Sequence, residues 1–374
     1  MATYYNPKII TNNIEFSVDA ANVKSWSGPT PLGDPYGYVS GGASPSAPSF
    51  SERIDFSNDN SSPLVKGNLS RSPSYGVRGT NNREYAYLGG GNPGGGSTII
   101  DRMDYSNDSV VTVEKGNLTA NRSQHGATGT LSYGYFAGGW GPGANEKSSV
   151  DRVDYSSDTS TAAPKGPLAR GRARFGTIGN QSYGYFAGGE WSTNSNRITK
   201  VERIDFSNDT ASSVDKGDLT TTAVYAGGAG NASYGYFGGG YDDWPSSANE
   251  RTTVDRIDYS NDSTACVAKG PLVVAKHGRL TTGDINYGYF CGGSSPSVKS
   301  VERIDYSNDT ATAATKSALN AARYSGAGHG TRFQAIPNST PLWKDMTGRG
   351  HDTTVDGATY QGGNNGVWNF DGTN

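Results

Sequence analysis

The sequence predicts an all-β protein: a six-bladed propeller of four-stranded sheets, with a smaller β-sandwich built from the segments that flank it. Three observations carry this expectation. A nine-residue motif occurs six times, as "SERIDFSND" (51–59), "IDRMDYSND" (100–108), "VDRVDYSSD" (150–158), "VERIDFSND" (201–209), "VDRIDYSND" (254–262) and "VERIDYSND" (301–309). Its central aspartates, Asp55, Asp104, Asp154, Asp205, Asp258 and Asp305, follow one another at 49, 50, 51, 53 and 47 residues, a period that belongs to propellers and solenoids. The 53 glycines, 23 tyrosines and abundant Ser, Thr and Asn suit turns and strands and leave almost no helix.

Each unit divides into four strand-like pieces. In the fourth these are "RARFGTIG" (172–179), "SYGYFAGG" (182–189), "KVERIDFS" (200–207) and "TASSVDKGDL" (210–219). Alternation in the third piece puts Val201, Arg203 and Asp205 on one face and Glu202, Ile204 and Phe206 on the other. Both faces mix bulky and charged groups, as a sheet packed between two others requires. The recurring pairs Arg53–Asp55, Arg102–Asp104, Arg152–Asp154, Arg203–Asp205, Arg256–Asp258 and Arg303–Asp305 are expected to join on one face as sheet-to-sheet joints, because an unpaired charge there would cost several kcal/mol. Glycine pairs such as Gly138-Gly139 and Gly188-Gly189 end the second piece, where glycine permits positive φ. "SND" supplies the turn chemistry that follows. A calcium loop built from Asp205, Asn208 and Asp209 is the weaker reading, since a further acidic ligand and the wider loop spacing are missing.

The aromatic "YGYFAGG", the "VERID[YF]" strand and a following arginine (Arg122, Arg172 or Arg323) together resemble the kelch repeat over about residues 34 to 335. The usual kelch tryptophan of the fourth strand is absent: "TATAATKSAL" (310–319) carries only small residues there. The first unit, beginning at "DPYGYVSGG" (34–42), lacks a first strand, and a spare one follows the last motif in "ARYSGAGHGTRF" (322–333). The ring is therefore expected to span 31–337, with blade 1 completed by about 320–335, which hides the sheet edges.

Outside the ring, "IITNNIEFSVDAANVKSW" (9–26) and "TPLWKDMTGRGHDTTVDGATYQGGNNGVWNFDGTN" (340–374) resemble parts of laminin-G or concanavalin-like jelly-roll domains of bacteriophage virion proteins. The resemblance implies a partial sandwich from 1–30 and 338–374 with the propeller inserted in a surface loop. It also implies a virion location and a non-enzymatic role as a tail fibre, adhesin or surface decoration, with a head-decoration or fibre protein of purely structural role as the alternative. Other virion proteins are then the expected partners, with a trimer if the protein is a fibre.

Several function classes find no support. A net charge of −3 gives no electrostatic reason to bind nucleic acid. No apolar run approaches a membrane span, and the N-terminus lacks the pattern of a secretory signal. The histidines 125, 277, 329 and 351 show no metal-ligand spacing, and no nucleophile elbow or phosphate loop appears. No cofactor and no enzymatic activity are expected. The competing reading is an oxidase like the kelch-type galactose oxidase, or a glycan-degrading enzyme. Cys266 and Cys291 read as small buried thiols.

The informative contrast is between the two rims. Loops between first and second strands are short and uniform. Those between second and third strands vary, as in "WGPGANEKSS" (140–149), "EWSTNSNRIT" (190–199) and "YDDWPSSANERTT" (241–253). They hold Trp140, Trp191, Tyr241, Asp242, Asp243 and Trp244. Aromatic faces among directed polar groups suit contact with a host-surface glycan or with a protein.

Overall fold

In a computed structural model, residues 36–43, 48–72, 74–91, 96–143, 145–191, 196–242, 249–294 and 296–330 are described, together with the backbone of four short strands after residue 341. The chain divides into two units, Pro35–Pro337 and a second made of Met1–Asp34 with Asn338–Asn374. In the second, Leu342–Trp343 pairs with Thr353–Thr354 and Ala358–Gln361 with Val367–Phe370, both antiparallel. The rest of the expected sandwich lies outside the described residues.

Pro35–Pro337 contains six four-stranded antiparallel sheets. Blade 2 runs outward from Arg78–Asn81 through Tyr85–Gly89 and Ile100–Asp104 to Val113–Glu114. Blades 3, 4, 5 and 6 repeat this order from inner strands Gly126–Gly129, Gly176–Gly179, Gly227–Gly230 and Leu280–Gly283. Blade 1 takes its inner strand from the far end of the unit: Ala327–Gly330 pairs with Tyr36–Ser40, so that Tyr38 faces His329. Each inner strand touches the next, from blade 1 through blade 6 and back. The core consists of aromatic and aliphatic layers between blades, such as Tyr135, Phe175, Phe186 and Ile204 between blades 3 and 4.

The repeated motif explains the spacing of the blades, through a different pairing from the expected one. Asp205 does not pair with Arg203. It caps its own turn of 3-10 helix, Phe206–Asn208, accepting hydrogen bonds from the Ser207 amide at 2.9 Å and hydroxyl at 2.7 Å. Asp55, Asp104, Asp154, Asp258 and Asp305 do the same. A serine two residues on can reach the carboxylate locally, which keeps it beside its own turn.

The arginine instead crosses to the next blade. Arg152 reaches Asp209 at 2.7 Å, and the same carboxylate accepts from Tyr135 at 2.8 Å and Lys165 at 3.0 Å. Every blade repeats this triad: Arg53, Tyr38 and Lys66 on Asp108; Arg102, Tyr87 and Lys115 on Asp158; Arg203, Tyr185 and Lys216 on Asp262; Arg256, Tyr236 and Lys269 on Asp309. Arg303, Tyr289 and Lys316 on Asp59 close the circle. Each guanidinium also lies over a tyrosine of its own blade, 4.1–4.3 Å from the ring centroid. Burial pushes the carboxyls of Asp108, Asp209, Asp262 and Asp309 up. The tyrosine and lysine hydrogen bonds and the arginine charge outweigh it and hold them below the usual carboxylate range.

The outer strands meet at the same joints. Gly166 donates its amide to the Asp209 carbonyl at 2.8 Å, and a Cβ on Gly166 would sit 2.0 Å from the Ala211 carbonyl oxygen. Gly67, Gly116, Gly217 and Gly270 face the same constraint. Blade 6 has Ser317 in this place, and its amide reaches the Asp59 carbonyl at 3.2 Å.

Candidate functional site

The first acid of each motif serves the other rim. Glu52, Asp101, Asp151, Glu202, Asp255 and Glu302 each meet an arginine inside their own blade. Arg122, Arg172 and Arg323 come from equivalent positions and are fully buried; each also donates to three backbone carbonyls of its blade. In the other blades Arg71, Arg279 and Arg251 reach the acid from different places, Arg251 from the variable loop itself. These anchors fix the ends of the second and third strands, from which the variable loops leave.

Inside this loop rim lies a closed collar. Gly76, Gln124, Arg174, Tyr225, Gly278 and Ser325 stand just before the six inner strands, and all have φ between 52° and 74°. The amide of each donates to the carbonyl of its counterpart in the preceding blade, at 2.5–3.0 Å, around the whole ring. Four of these left-handed positions carry side chains that glycine would spare, at a cost of about 1–3 kcal/mol each.

Three of the four are knitted together. Gln124 donates from Nε2 to the Tyr75 hydroxyl at 2.5 Å and accepts at Oε1 from Tyr225 and, at 2.7 Å, from Arg174 Nε. The Tyr75 and Tyr225 hydroxyls lie 2.8 Å apart. The Arg174 guanidinium lies 3.8 Å from the Trp140 ring centroid and 2.7 Å from Glu190. Tyr225 and Tyr241 pack around His277, whose Nδ1 is 2.7 Å from Glu250. Burial keeps the group neutral wherever it can: it raises the pKa of Glu190 and of Tyr241 (to about 12) and lowers that of His277. The arrangement is a hydrogen-bonded polar plug over the channel mouth, with aromatic faces at its margin.

The expected contact residues divide accordingly. Trp191 opens a short hairpin, Glu190–Trp191 with Asn196–Arg197, and is 44% exposed. Trp140 is half-buried under Arg174, with an indole Nε1 that has no hydrogen-bond partner among the described residues. Tyr241 is buried in the plug, and Asp242 holds Arg251 at 3.0 Å. Asp243 and Trp244 lie outside the described residues. Gln124, Arg174 and Tyr225 were not singled out by sequence reasoning. Their signal is a position just before the first strand that takes five different residues across the six blades, glycine occurring twice.

Among the described residues no group of three or more His, Cys, Asp and Glu is placed to hold a metal. Cys266 and Cys291 are buried, and burial pushes both thiols up to about 12.

With six sheets, a closed ring of inner strands and one joint per blade, the architecture is decided. The unit is a six-bladed β-propeller. No family model matches the sequence, and no curated protein sequence does. Among solved structures the chain is similar to the one titled "Structure of YjhT", with a TM-score of 0.58 and 12% identity, over 80% of this chain and 99% of that one. At that identity the likeness speaks for the propeller fold alone.

Proposed function

We propose that this protein is a non-enzymatic bacteriophage virion component, a tail fibre, adhesin or surface decoration, whose loop rim contacts a host-surface glycan or a partner protein. In this reading the propeller is of kelch type and sits in a jelly-roll base formed by the flanking segments. Virion location and virion partners follow from the resemblance of those segments, as does a trimer if the protein is a fibre. The observation that carries the contact surface is Trp191, exposed on a hairpin whose Glu190 holds the Arg174 guanidinium stacked on Trp140. An exposed indole on a fixed support loses little entropy on binding, and neighbouring Asn and charged groups add directed hydrogen bonds.

Antibody labelling of intact particles tests the location, and absence from particles would overturn it. Glycan-array and virion-protein binding, compared between wild type and Trp191→Ala, test the rim. Binding that survives the substitution unchanged would move the contact elsewhere, and turnover of a bound polysaccharide would end the non-enzymatic reading.

A further inference from the structure

The inner strands leave a cavity of about 50 Å³ on the axis of the propeller. Small residues, Gly79, Ala127, Gly228 and Gly328, form much of its wall. One inner-strand position breaks this economy. By strand register, Arg78 of blade 2 corresponds to Gly126, Gly176, Gly227, Leu280 and Ala327 in the other blades. A guanidinium thus stands on the channel wall where every other blade has an apolar residue.

That guanidinium lacks a counter-charge among the described residues. Nη1 donates to the Val77 and Gly326 carbonyls at 2.9 and 3.3 Å, and no carboxylate lies within 4 Å of Arg78 among the described residues. The arginines of the six blade anchors all have an acid, so the missing partner is particular to this site. Nearby His125 is held neutral by burial and by the guanidinium groups of Arg122, Arg78 and Arg71. A second polar group faces the same space. Thr177 lines the cavity, and its Oγ1 is cut off from solvent without a hydrogen-bond partner among the described residues. A buried hydroxyl without a partner is costly. Arg78 is only partly buried, and a cation without an acid favours an anionic acceptor.

We propose that the channel binds a small monoanion, of halide to formate size, in the cavity lined by Arg78 and Thr177. One guanidinium balances one negative charge, and a charge-assisted hydrogen bond is the strong kind. The volume has room for a few water-sized molecules, which admits a halide or formate and shuts out a sugar ring. The anion would tie blade 2 to blade 4 across the axis.

The test uses the whole purified chain in sodium gluconate, an anion too bulky to enter, replaced stepwise by bromide or formate at constant ionic strength. Wild type should show a saturable rise in melting temperature with either small anion. Arg78→Gly, which installs the residue that blades 3, 4 and 5 carry, should lose the rise, and Arg78→Lys should weaken the apparent affinity about tenfold. Crystals soaked in bromide should give an anomalous peak in the channel beside Arg78. If Arg78→Gly responds to bromide as wild type does, the effect is bulk salt and the proposal fails. A channel without a bromide peak overturns it equally, and independently of how the variants fold.

Discussion

The turn rim and the loop rim of this propeller are built from the same motif and obey opposite rules. On the turn rim one carboxylate per blade gathers an arginine, a tyrosine and a lysine from its neighbour, six times over, with arginine distances of 2.7–2.9 Å. On the loop rim the collar keeps its backbone ring intact while its side chains run Gly, Gln, Arg, Tyr, Gly and Ser. Repetition holds the circle shut on one side, and the other side is thereby free to differ from blade to blade.

The largest break in that comparison should come at a turn-rim joint. Asp209→Ala strips three donors of their acceptor, and the loss of stability is expected to be about 3 kcal/mol in chemical denaturation. Asp205→Ala, four residues earlier, removes only a cap and should cost about 1 kcal/mol. Equal effects would mean that the neighbouring-blade contact adds nothing to the local one.

Next in size, per pH unit, is an effect at the joint between blades 1 and 2, where His329 stacks on Tyr38 and bonds to Ser40 and Tyr105. Burial lowers its pKa to about 3. The folded state therefore keeps it neutral, while the unfolded chain takes up a proton near pH 6.5. Its contribution is fully present above pH 6.5 and falls as the pH drops toward 3, by about 1.4 kcal/mol per pH unit. His329→Gln should flatten the stability–pH profile by that slope.

Smaller effects belong to the loop rim. Ser325→Gly relieves a left-handed residue whose Oγ has no hydrogen-bond partner among the described residues, and should raise stability by about 0.5 kcal/mol. Trp191→Ala should change stability by less than about 0.5 kcal/mol while abolishing ligand contact, measured by melting and by array binding in parallel. A large loss of stability at Trp191 would show that the loop rim shares in holding the ring shut.

Much of the propeller was legible because a 50-residue period survives any ignorance of contacts. The joints were legible in part. Arg203 is one side of a sheet-to-sheet contact, yet its partner Asp262 lies 59 residues away in another blade, and alternation within a strand cannot see across blades. The nearer Asp205 was the natural wrong partner, since its serine bond depends on a turn rather than on strand register. Arg251 and Arg71 were hidden for another reason: they reach equivalent acids from unequal positions, so alignment of the repeats does not bring them together. The collar is carried by backbone amides, which leave no mark on residue identity beyond two glycines.

Ser317 has a consequence for how such a circle opens. Five seams are drawn tight by a bare glycine amide, and the sixth carries a hydroxymethyl group and a longer amide–carbonyl separation. That seam joins the last blade to the first, the only border where the neighbours are not consecutive along the polypeptide. Deuterium should enter the Ser317 amide sooner than that of Gly166. The molecule would then breathe at its clasp, and every other border would stay shut until the whole wheel comes apart.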